Sequence, residues 1–355
     1  MTELHGHGKA RHRRKKTALQ SGIALALAAA GAMAYGTAFG VFGEDVQPKA
    51  AAAAPSAAAY PVPGRVTGDV VVHDPTMLRA PDGRYLLQSS HGYLESRTST
   101  DRIAFGRNGN AFSSTPRWWS RYSAENDPWA PDLSYHGGKY LMYYAVSGFG
   151  SKTSAIGLAT STTAVPGSWK DQGIVYSSTS SSDYNAIDPD LFVDDDGKWW
   201  LAFGSHWSGI KMIRLDPKTG KQYAGDTTRH SLAARSTGTR AVEAPTVVKR
   251  NGYYYLFASY DACCSGTTST YKIKVGRATR PTGPYYDRNR VAMNKDGGTV
   301  VMASQGSVIG PGGQDIMPDT DGDLLVYHYY DGRDNGAPKL GLNRLNWDSG
   351  WPAAH

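Results

Sequence analysis

Three acidic residues of this 355-residue chain lie beside prolines, in a pattern that could do hydrolytic chemistry. Asp74 and Asp188 directly precede a proline, and a single alanine separates Glu243 from one. Cleavage of a glycosidic bond needs one carboxyl group that is protonated, to release the leaving oxygen, and one that is ionised, to activate water or attack the sugar. A third acid nearby can raise the pKa of the proton donor by like-charge repulsion. The pattern therefore predicts that Asp74, Asp188 and Glu243 form a glycoside-cleaving carboxylate set.

The three acids recur in register with a repeat that runs through the chain after about residue 68. Each copy has a glycine-containing turn followed by alternating aromatic and aliphatic residues, which is the pattern of a hairpin that leads into a strand. The turn glycines are 55, 59, 55 and 70 residues apart, and helical periodicity is absent. These glycines are Gly83, Gly138, Gly197, Gly252 and Gly322.

Five repeats of this length, each with about four short strands, predict an all-β fold, a five-bladed β-propeller over residues 60–355. A pair of β-sandwich domains is the alternative, which the regular spacing and the lack of a linker disfavour. The innermost strand of each blade begins near the central channel, so residues just before it should face one shared cavity. Proline there fixes φ and removes an N–H that the strand does not need. We expect Asp132, Asp190 and residues 194–196 to serve turns instead.

Residues 1–59 have the features of a secretory leader and a low-complexity segment. A basic run over residues 9–16 precedes an uncharged, alanine-rich stretch from Ser21 to Gly43, and an Ala/Pro/Ser segment continues to residue 59. We predict a secreted, extracellular protein with no stable membrane association after the leader is removed. Because the apolar stretch is long enough to span a bilayer, a retained anchor is the alternative.

The formal net charge of +7 does not indicate a nucleic-acid partner. Residues 1–49 carry +4 of this charge, and the basic residues of the remainder are scattered. Aromatic side chains point to a different ligand, because 22 Tyr and 9 Trp in a chain with only 19% charged residues suit a polar, ring-shaped molecule such as a glycan. We expect the protein to be a monomer.

The two cysteines, Cys263 and Cys264, are adjacent and cannot form a disulfide framework. Neighbouring Cα atoms are about 3.8 Å apart, which is shorter than a disulfide normally prefers. Two outcomes stay open at this point. The pair could be two buried free thiols, or a vicinal disulfide formed in an oxidising destination.

The chain also resembles glycoside hydrolase family 43, and within it the endo-1,5-α-L-arabinanases. The resemblance extends from about Val66 to Pro352 and has several independent points. The run Ser-Tyr-Asp-Ala-Cys-Cys-Ser-Gly is similar to one seen in the arabinanases rather than across the family. The similar segments are residues 73–75, 185–189, 242–245, 259–266 and 345–352.

This resemblance implies a five-bladed propeller that hydrolyses arabinan or arabino-oligosaccharides by a single displacement with inversion. By the matching motifs, Asp74 would deprotonate the attacking water and Glu243 would protonate the departing arabinose oxygen. Asp188 would orient Glu243 and raise its pKa.

The resemblance further implies a metal ion near His328, which lies on a predicted strand of the fifth repeat. This histidine is similar to the lone one that reaches a calcium ion on the channel axis of arabinanases, where water supplies the other ligands. From the residues alone, a packed strand histidine is the simpler reading, since calcium prefers oxygen ligands. The chain departs from many relatives at Gly313, where they have histidine, and Gln314 could replace that side chain.

Sugar binding needs aromatic faces and fixed polar groups at the ends of the blades. Two other readings remain open. An exo-acting α-L-arabinofuranosidase or β-xylosidase could use the same fold, and a non-catalytic glycan-binding propeller would be expected to lack one or more of the three acids. The predicted substrate contacts are His73, Trp129, Phe149, Asn185, Ser205 and His206.

Overall fold

The computed structural model describes residues 60–238 and 240–355, and in this part of the chain 21 strands form five sheets arranged as a β-propeller. The predicted all-β fold with five blades is confirmed. The predicted leader, residues 1–59, lies outside the described residues. Within the described ranges, no helix has the length and apolar character needed to cross a membrane.

The blades follow one another along the chain: β1–β5, β6–β9, β10–β13, β14–β17 and β18–β21. Strands that pair within a blade are antiparallel, except that β1 pairs in parallel with β5 at the edge of the first sheet. Three short 3-10 helices, Trp119–Arg121, Gly266–Thr268 and Met293–Lys295, lie in the connections. The strands are β1 Thr67–Gly68, β2 Thr76–Arg79, β3 Tyr85–Ser89, β4 Glu95–Ser99, β5 Ala104–Asn110, β6 Pro128–His136, β7 Lys139–Val146, β8 Ser154–Ser161, β9 Lys170–Ser178, β10 Asp190–Val193, β11 Trp199–Phe203, β12 Ile210–Leu215, β13 His230–Ala233, β14 Val242–Arg250, β15 Tyr253–Tyr260, β16 Lys272–Ala278, β17 Thr299–Met302, β18 Val308–Asp319, β19 Gly322–Asp331, β20 Ala337–Asn346 and β21 Ala353–Ala354.

Five apolar clusters lie between neighbouring blades, so the core is divided into wedges around the axis. Leu86 of blade 1 and Met142 of blade 2, for example, belong to the same buried cluster. Burying one such side chain stabilises the fold by roughly 1.5–3 kcal/mol. The last wedge joins blade 5 to blade 1. There the backbone N–H of Leu340 donates to the carbonyl of Val70 at 2.9 Å and closes the ring.

The predicted glycine turns join the innermost strand of each blade to its second strand. In the connection from β6 to β7, Gly137 and Gly138 have φ of 58° and 78°. The equivalent connection from β14 to β15 uses Asn251 and Gly252, with φ of 51° and 79°. Two-residue hairpins favour such left-handed residues, because the primed turns match the twist of the strands. Residues 194–196 also lie in a turn, as expected.

Each blade has one residue with positive φ where its innermost strand approaches the axis. These residues are Asp74 (45°), Ala130 (42°), Asp188 (54°), Ala244 (48°) and Gly313 (55°). In blades 2, 4 and 5 the position lies within the strand, at an irregularity of the pairing register. Bulges of this kind re-aim side chains, and left-handed non-glycine residues concentrate at functional sites. The acids that precede prolines therefore mark a left-handed backbone position, and all five blades have such a position.

Two positions after the left-handed residue, a side chain of the innermost strand forms a hydrogen bond to the neighbouring blade. Asp132 Oδ2 accepts the N–H of Leu191 at 2.8 Å, and Asp190 Oδ2 accepts the N–H of Val247 at 3.0 Å. Asp315 binds blade 1 in the same way. The prediction that Asp132 and Asp190 serve turns is therefore wrong, because these side chains lie within strands and accept hydrogen bonds from amides of the neighbouring blade.

The axial acids should make the stability of the fold depend on pH. Burial and the charge of Asp315 raise the pKa of Asp132 to about 8 from 3.8. The native state then binds a proton that the unfolded state has lost, so the free energy of unfolding should fall as the pH rises from about 4 to 8. We expect Asp132→Asn, which keeps an acceptor for Leu191, to flatten this fall in urea unfolding measured at pH 5 and pH 8.5. Asp348→Asn, at an exposed position, is the control. An unchanged slope in Asp132→Asn would contradict the assignment.

Candidate active site

The candidate site lies at the end of the axis where the innermost strands begin. The second strand of each blade runs antiparallel to the innermost one, as in the pairing of Pro128 with Val146, so the loops that follow the second strands return to this end. A cavity of about 30 Å³ lies on the axis there. Its lining is formed by the triplets 74–76, 130–132, 188–190, 244–246 and 313–315.

Asp74 is surrounded by groups that favour its ionised form. Its Oδ2 accepts hydrogen bonds from His73 Nδ1 at 2.8 Å and from Ser90 Oγ at 2.7 Å. Burial by itself would raise the pKa of Asp74, but His73, His328 and Ser90 outweigh it and hold that pKa well below the ordinary value. Sequence reasoning missed Ser90, although the register of β2 on β3 places it opposite Asp74.

Asp188 is in the opposite state, although it faces the same cavity. Its Oδ2 accepts a single backbone hydrogen bond, from Ala244 at 3.1 Å. Burial and the negative charges of Glu243 and Asp74 raise the pKa of Asp188 well above the ordinary value. The surroundings of Asp188 therefore favour its protonated form, whereas those of Asp74 favour the ionised one.

Glu243 is buried between three side chains from other parts of the chain. Its Oε2 accepts from Ser205 Oγ at 2.5 Å and lies 3.3 Å from His206 Nδ1. Its Oε1 accepts from Tyr271 at 2.7 Å. Burial raises the pKa of Glu243, but His206, Ser205 and Tyr271 together lower it below the ordinary value. Two predicted substrate contacts, Ser205 and His206, are thus partners of this carboxyl group.

The direction for Glu243 differs from the sequence-based expectation that Asp188 raises its pKa. Two buried carboxyl groups that repel one another share one proton. Three side-chain donors surround Glu243, whereas Asp188 accepts only one backbone hydrogen bond, so the repulsion raises the pKa of Asp188 instead. No sequence pattern indicated this, because the donors come from segments up to 38 residues away.

The Tyr271 hydroxyl lies close enough to all three carboxyl groups for their charges to act on it. Burial and the charges of Glu243, Asp188 and Asp74 raise the pKa of this hydroxyl well above its ordinary value. Tyr271 therefore stays a neutral donor to Glu243. Sequence analysis missed it, since nothing distinguishes it from the other tyrosines of the chain.

Hydrogen bonds also connect Asp74 to the cysteine pair. Cys263 and Cys264 form a disulfide, which decides between the two outcomes left open above. The N–H of Cys264 donates to the Tyr330 hydroxyl at 2.8 Å, and that hydroxyl lies 2.9 Å from His73 Nε2. Since the hydroxyl accepts from Cys264, its own proton can bind Nε2. His73 then carries its proton on Nδ1 and donates it to Asp74.

His328 lies beneath Asp74 and has an unused nitrogen. The ring is fully buried and stacks on His73 with centroids 3.9 Å apart. Burial and the nearby His73 lower the pKa of His328 well below its ordinary value, so the ring is neutral. Its Nδ1 accepts the backbone N–H of Asp74 at 3.1 Å and lies 3.5 Å from Asp74 Oδ1, and no described residue hydrogen-bonds its Nε2. Ligand atoms of His73, Asp74 and His328 lie within 4.8 Å of one another, an arrangement that fits a cation.

Gly313 leaves no room for a side chain beside this cluster. A Cβ there would lie 2.5 Å from Asp74 Oδ1 and 2.8 Å from the His328 ring, and φ is 55°. The next residue, Gln314, lines the cavity, donates its side-chain amide to the carbonyl of Ala244 at 2.5 Å and accepts from Ser259 Oγ at 2.7 Å. Replacement of the missing side chain by Gln314 stays a prediction.

The remaining predicted contacts lie at the start of β6, in the loop after β7 and in the segment before β10. Trp129 donates its ring N–H to Asp127 Oδ2 at 3.2 Å. Phe149, in the loop after β7, is 88% exposed. Asn185 is buried, and its Oδ1 accepts from Ser154 at 2.6 Å, so it anchors the end of that loop. Sugar contact by these residues stays a prediction.

Known proteins share both the sequence and the fold of this chain. Residues 64–352 match the model of the family described as glycosyl hydrolases family 43. The chain belongs to this family. The resemblance noted from its motifs is confirmed, and the family 43 protein is therefore a glycosidase with its carboxylates at the propeller axis.

The relatives of this family 43 protein include both endo- and exo-acting enzymes. It is 48% identical to the extracellular endo-α-(1→5)-L-arabinanase 1 of Bacillus subtilis, over 80% of this chain and 87% of the relative. It is 38% identical to the extracellular exo-α-(1→5)-L-arabinofuranosidase ArbA of Cellvibrio japonicus, over 80% and 86%. The solved endo-arabinanase of Bacillus licheniformis superposes with a TM-score of 0.76 at 43% identity, over 81% of this chain and 99% of that one.

Proposed function

We propose that this family 43 protein is an extracellular endo-arabinanase, which hydrolyses internal α-1,5-L-arabinofuranosidic bonds with inversion. The observation that carries the proposal is that Asp74 and Asp188 line one axial cavity, that Glu243 of a third blade repels Asp188 from beside the lining residue Ala244, and that the pKa values of Asp74 and Asp188 are shifted in opposite directions. The similarity to enzymes named arabinanases supports the substrate, and two of these relatives are named extracellular. The leader predicted over residues 1–59 agrees with export.

Asp74 is proposed as the general base. Its low pKa keeps it ionised, and its Oδ2 is occupied by His73 and Ser90. These bonds fix the carboxylate, so that Oδ1 can accept a proton from a water molecule that attacks the anomeric carbon. General-base catalysis requires an acceptor that is both ionised and aimed, and both conditions hold for this side chain.

Glu243 is proposed as the general acid, with Asp188 as the group that tunes it. Ser205 Oγ lies 2.9 Å from His206 Nδ1 as well as 2.5 Å from Glu243. When His206 is neutral, Ser205 can donate to it and accept a proton from Glu243, so the three groups support a protonated acid. Repulsion from an Asp188 that ionises would then raise the pKa of Glu243 and retain its proton for the leaving oxygen.

Exo action is the second candidate, since the chain is also similar to an enzyme named an exo-arabinofuranosidase. Product sizing on debranched arabinan distinguishes the two. Endo cleavage should give a ladder of oligosaccharides early in the reaction, whereas exo cleavage gives only the smallest products throughout. Release of small products alone would reject endo action. The absence of any hydrolysis would favour a glycan-binding propeller.

We also propose a calcium ion beside Asp74, with His328 Nε2 as its protein ligand and water as the remaining ligands. The buried, unpartnered Nε2 supports this site. Nδ1 of His328 accepts the backbone N–H of Asp74 at 3.1 Å, so a cation at Nε2 would require the other tautomer of the ring, with its proton on Nδ1, where Asp74 Oδ1 lies at 3.5 Å. A bound cation would supply positive charge next to the catalytic base.

Removal of the ion should therefore destabilise the protein. A ligand present at about 100 times its Kd stabilises the native state by about 2.7 kcal/mol, which corresponds to a fall in Tm of roughly 5–10 °C on adding EDTA. His328→Ala should lose this response, while His136→Ala, at the opposite end of blade 2, should keep it. An EDTA response of equal size in His328→Ala, measured by calorimetry, would exclude His328 as the ligand.

A further inference from the structure

A strained turn at the rim of the cavity presents a histidine to which the mechanism above gives no role. Residues 91–94, directly after Ser90, all have positive φ: 73° at His91, 57° at Gly92, 65° at Tyr93 and 65° at Leu94. L-residues adopt this conformation at a cost, and successive ones are rare. Such strain persists only where surrounding contacts enforce it, and it concentrates at functional sites.

Both ends of this turn are fixed to their surroundings. The N–H of His91 donates to the carbonyl of Pro128 at 3.0 Å, which joins blade 1 to blade 2. At the other end Leu94 is fully buried, and the Tyr93 ring stacks on that of Trp119. The preceding Ser90 binds Asp74 at 2.7 Å, so the turn has a fixed position relative to the proposed base.

The His91 side chain lies near His73 and is oriented by an acid. Its Nδ1 lies 2.5 Å from Asp127 Oδ2, the same oxygen that accepts the ring N–H of Trp129 at 3.2 Å. The His91 ring is 6.0 Å from that of His73, and its side chain is 57% exposed. No described residue hydrogen-bonds its Nε2. Asp127 thus orients both the ring of Trp129 and the imidazole of His91, whose Nε2 is open to a ligand.

We propose that His91 is a substrate-binding residue, whose Nε2 hydrogen-bonds a hydroxyl group of an arabinofuranose unit that lies against Trp129. The inference deepens the proposed function and rests on it for the identity of the sugar. The hydrogen bond and charge of Asp127, against the opposing effect of burial, raise the pKa of His91, which favours a ring that donates from both nitrogens. A charged donor binds a sugar oxygen more strongly than a neutral one.

Two substitutions separate sugar binding from a role in holding the turn. His91→Gly deletes the imidazole and adopts positive φ without strain, so it should keep or raise the Tm. His91→Gln retains a donor near the position of Nε2 but keeps the strain. A sugar contact predicts weaker binding in His91→Gly than in His91→Gln, whereas a purely structural role predicts that His91→Gly resembles the parent. His136→Gly, at the end of β6 that is far from the site, is the matched control.

Binding should be measured apart from turnover. In a Glu243→Gln background, titration calorimetry with arabinohexaose should give a Kd about tenfold higher for His91→Gly, with His91→Gln between it and the parent and His136→Gly unchanged. In the active enzyme, KM should rise by a similar factor while kcat changes less than twofold. Equal Kd values for His91→Gly and its parent would overturn the inference.

The same measurements distinguish this inference from the proposed function. If the Glu243→Gln parent binds arabinohexaose but the wild-type protein does not hydrolyse arabinan, the proposed function fails, and the calorimetric comparison still decides the role of His91. If the wild-type protein hydrolyses arabinan, and His91→Gly in the Glu243→Gln background binds arabinohexaose as tightly as Glu243→Gln alone, only the inference fails. If the Glu243→Gln parent binds no arabinohexaose, both the substrate and the sugar contact are wrong.

Discussion

Glu243→Gln should lower kcat on linear arabinan by about 10³-fold, within the range typical of a lost general acid. Glutamine has the same size, and its amide oxygen can still accept from Tyr271 while its NH2 group donates to the Ser205 hydroxyl, so the buried site should remain folded. What is lost is the proton for the departing arabinose oxygen, which is a poor leaving group as an alkoxide. The measurement is initial rates of reducing-end formation, with the exposed Glu125 changed to Gln as the control.

A second substrate separates loss of the acid from general damage to the site. A dinitrophenyl arabino-oligosaccharide releases a phenolate that needs little protonation. Glu243→Gln should therefore keep most of its activity on that substrate, and a basic limb of the wild-type pH profile of kcat/KM should disappear. Equal losses on both substrates would show that Glu243 is not the proton donor. In that case Asp188, whose pKa is raised, becomes the alternative acid.

The sequence was sufficient to predict the fold because the information lies in local, repeated signals. Glycine turns such as Gly138 and Gly252 must adopt positive φ, so their spacing counts the blades directly. The acids Asp74 and Asp188 were found because a proline follows each of them at the same point of its repeat. In each case a backbone requirement restricts the residue type, and a restricted residue type can be read from one sequence.

The parts that were missed depend on contacts between segments far apart in the chain. Tyr271 reaches Glu243 from a different loop, and no periodic or turn signal accompanies it. The turn at His91 contains only one glycine in four left-handed residues, so its conformation could not be predicted from residue types. The disulfide between Cys263 and Cys264 was left open for a related reason, since adjacency permits the bond without requiring it.

Asp74→Asn should be as damaging as the loss of Glu243, but with a different signature. Asparagine tolerates the left-handed backbone at this position, where φ is 45°. Its side-chain oxygen can still accept from His73 and Ser90. The variant should therefore fold, while kcat falls by about 10³-fold because no group deprotonates the attacking water. Rates on arabinan and on the dinitrophenyl substrate should fall together, since water attack is needed for both. Asp348→Asn is the matched control.

Azide provides the decisive test of both the role of Asp74 and inversion. This anion is a nucleophile without a proton to remove, so it needs no base and should restore turnover in Asp74→Asn. The bond from azide nitrogen to the anomeric carbon would form as the glycosidic bond breaks, with Glu243 protonating the leaving oxygen. An α-linked substrate should then give a β-arabinofuranosyl azide, identified by NMR. An α-azide would indicate retention and a covalent intermediate, and activity of Asp74→Asn close to wild type without azide would remove Asp74 from the base role altogether.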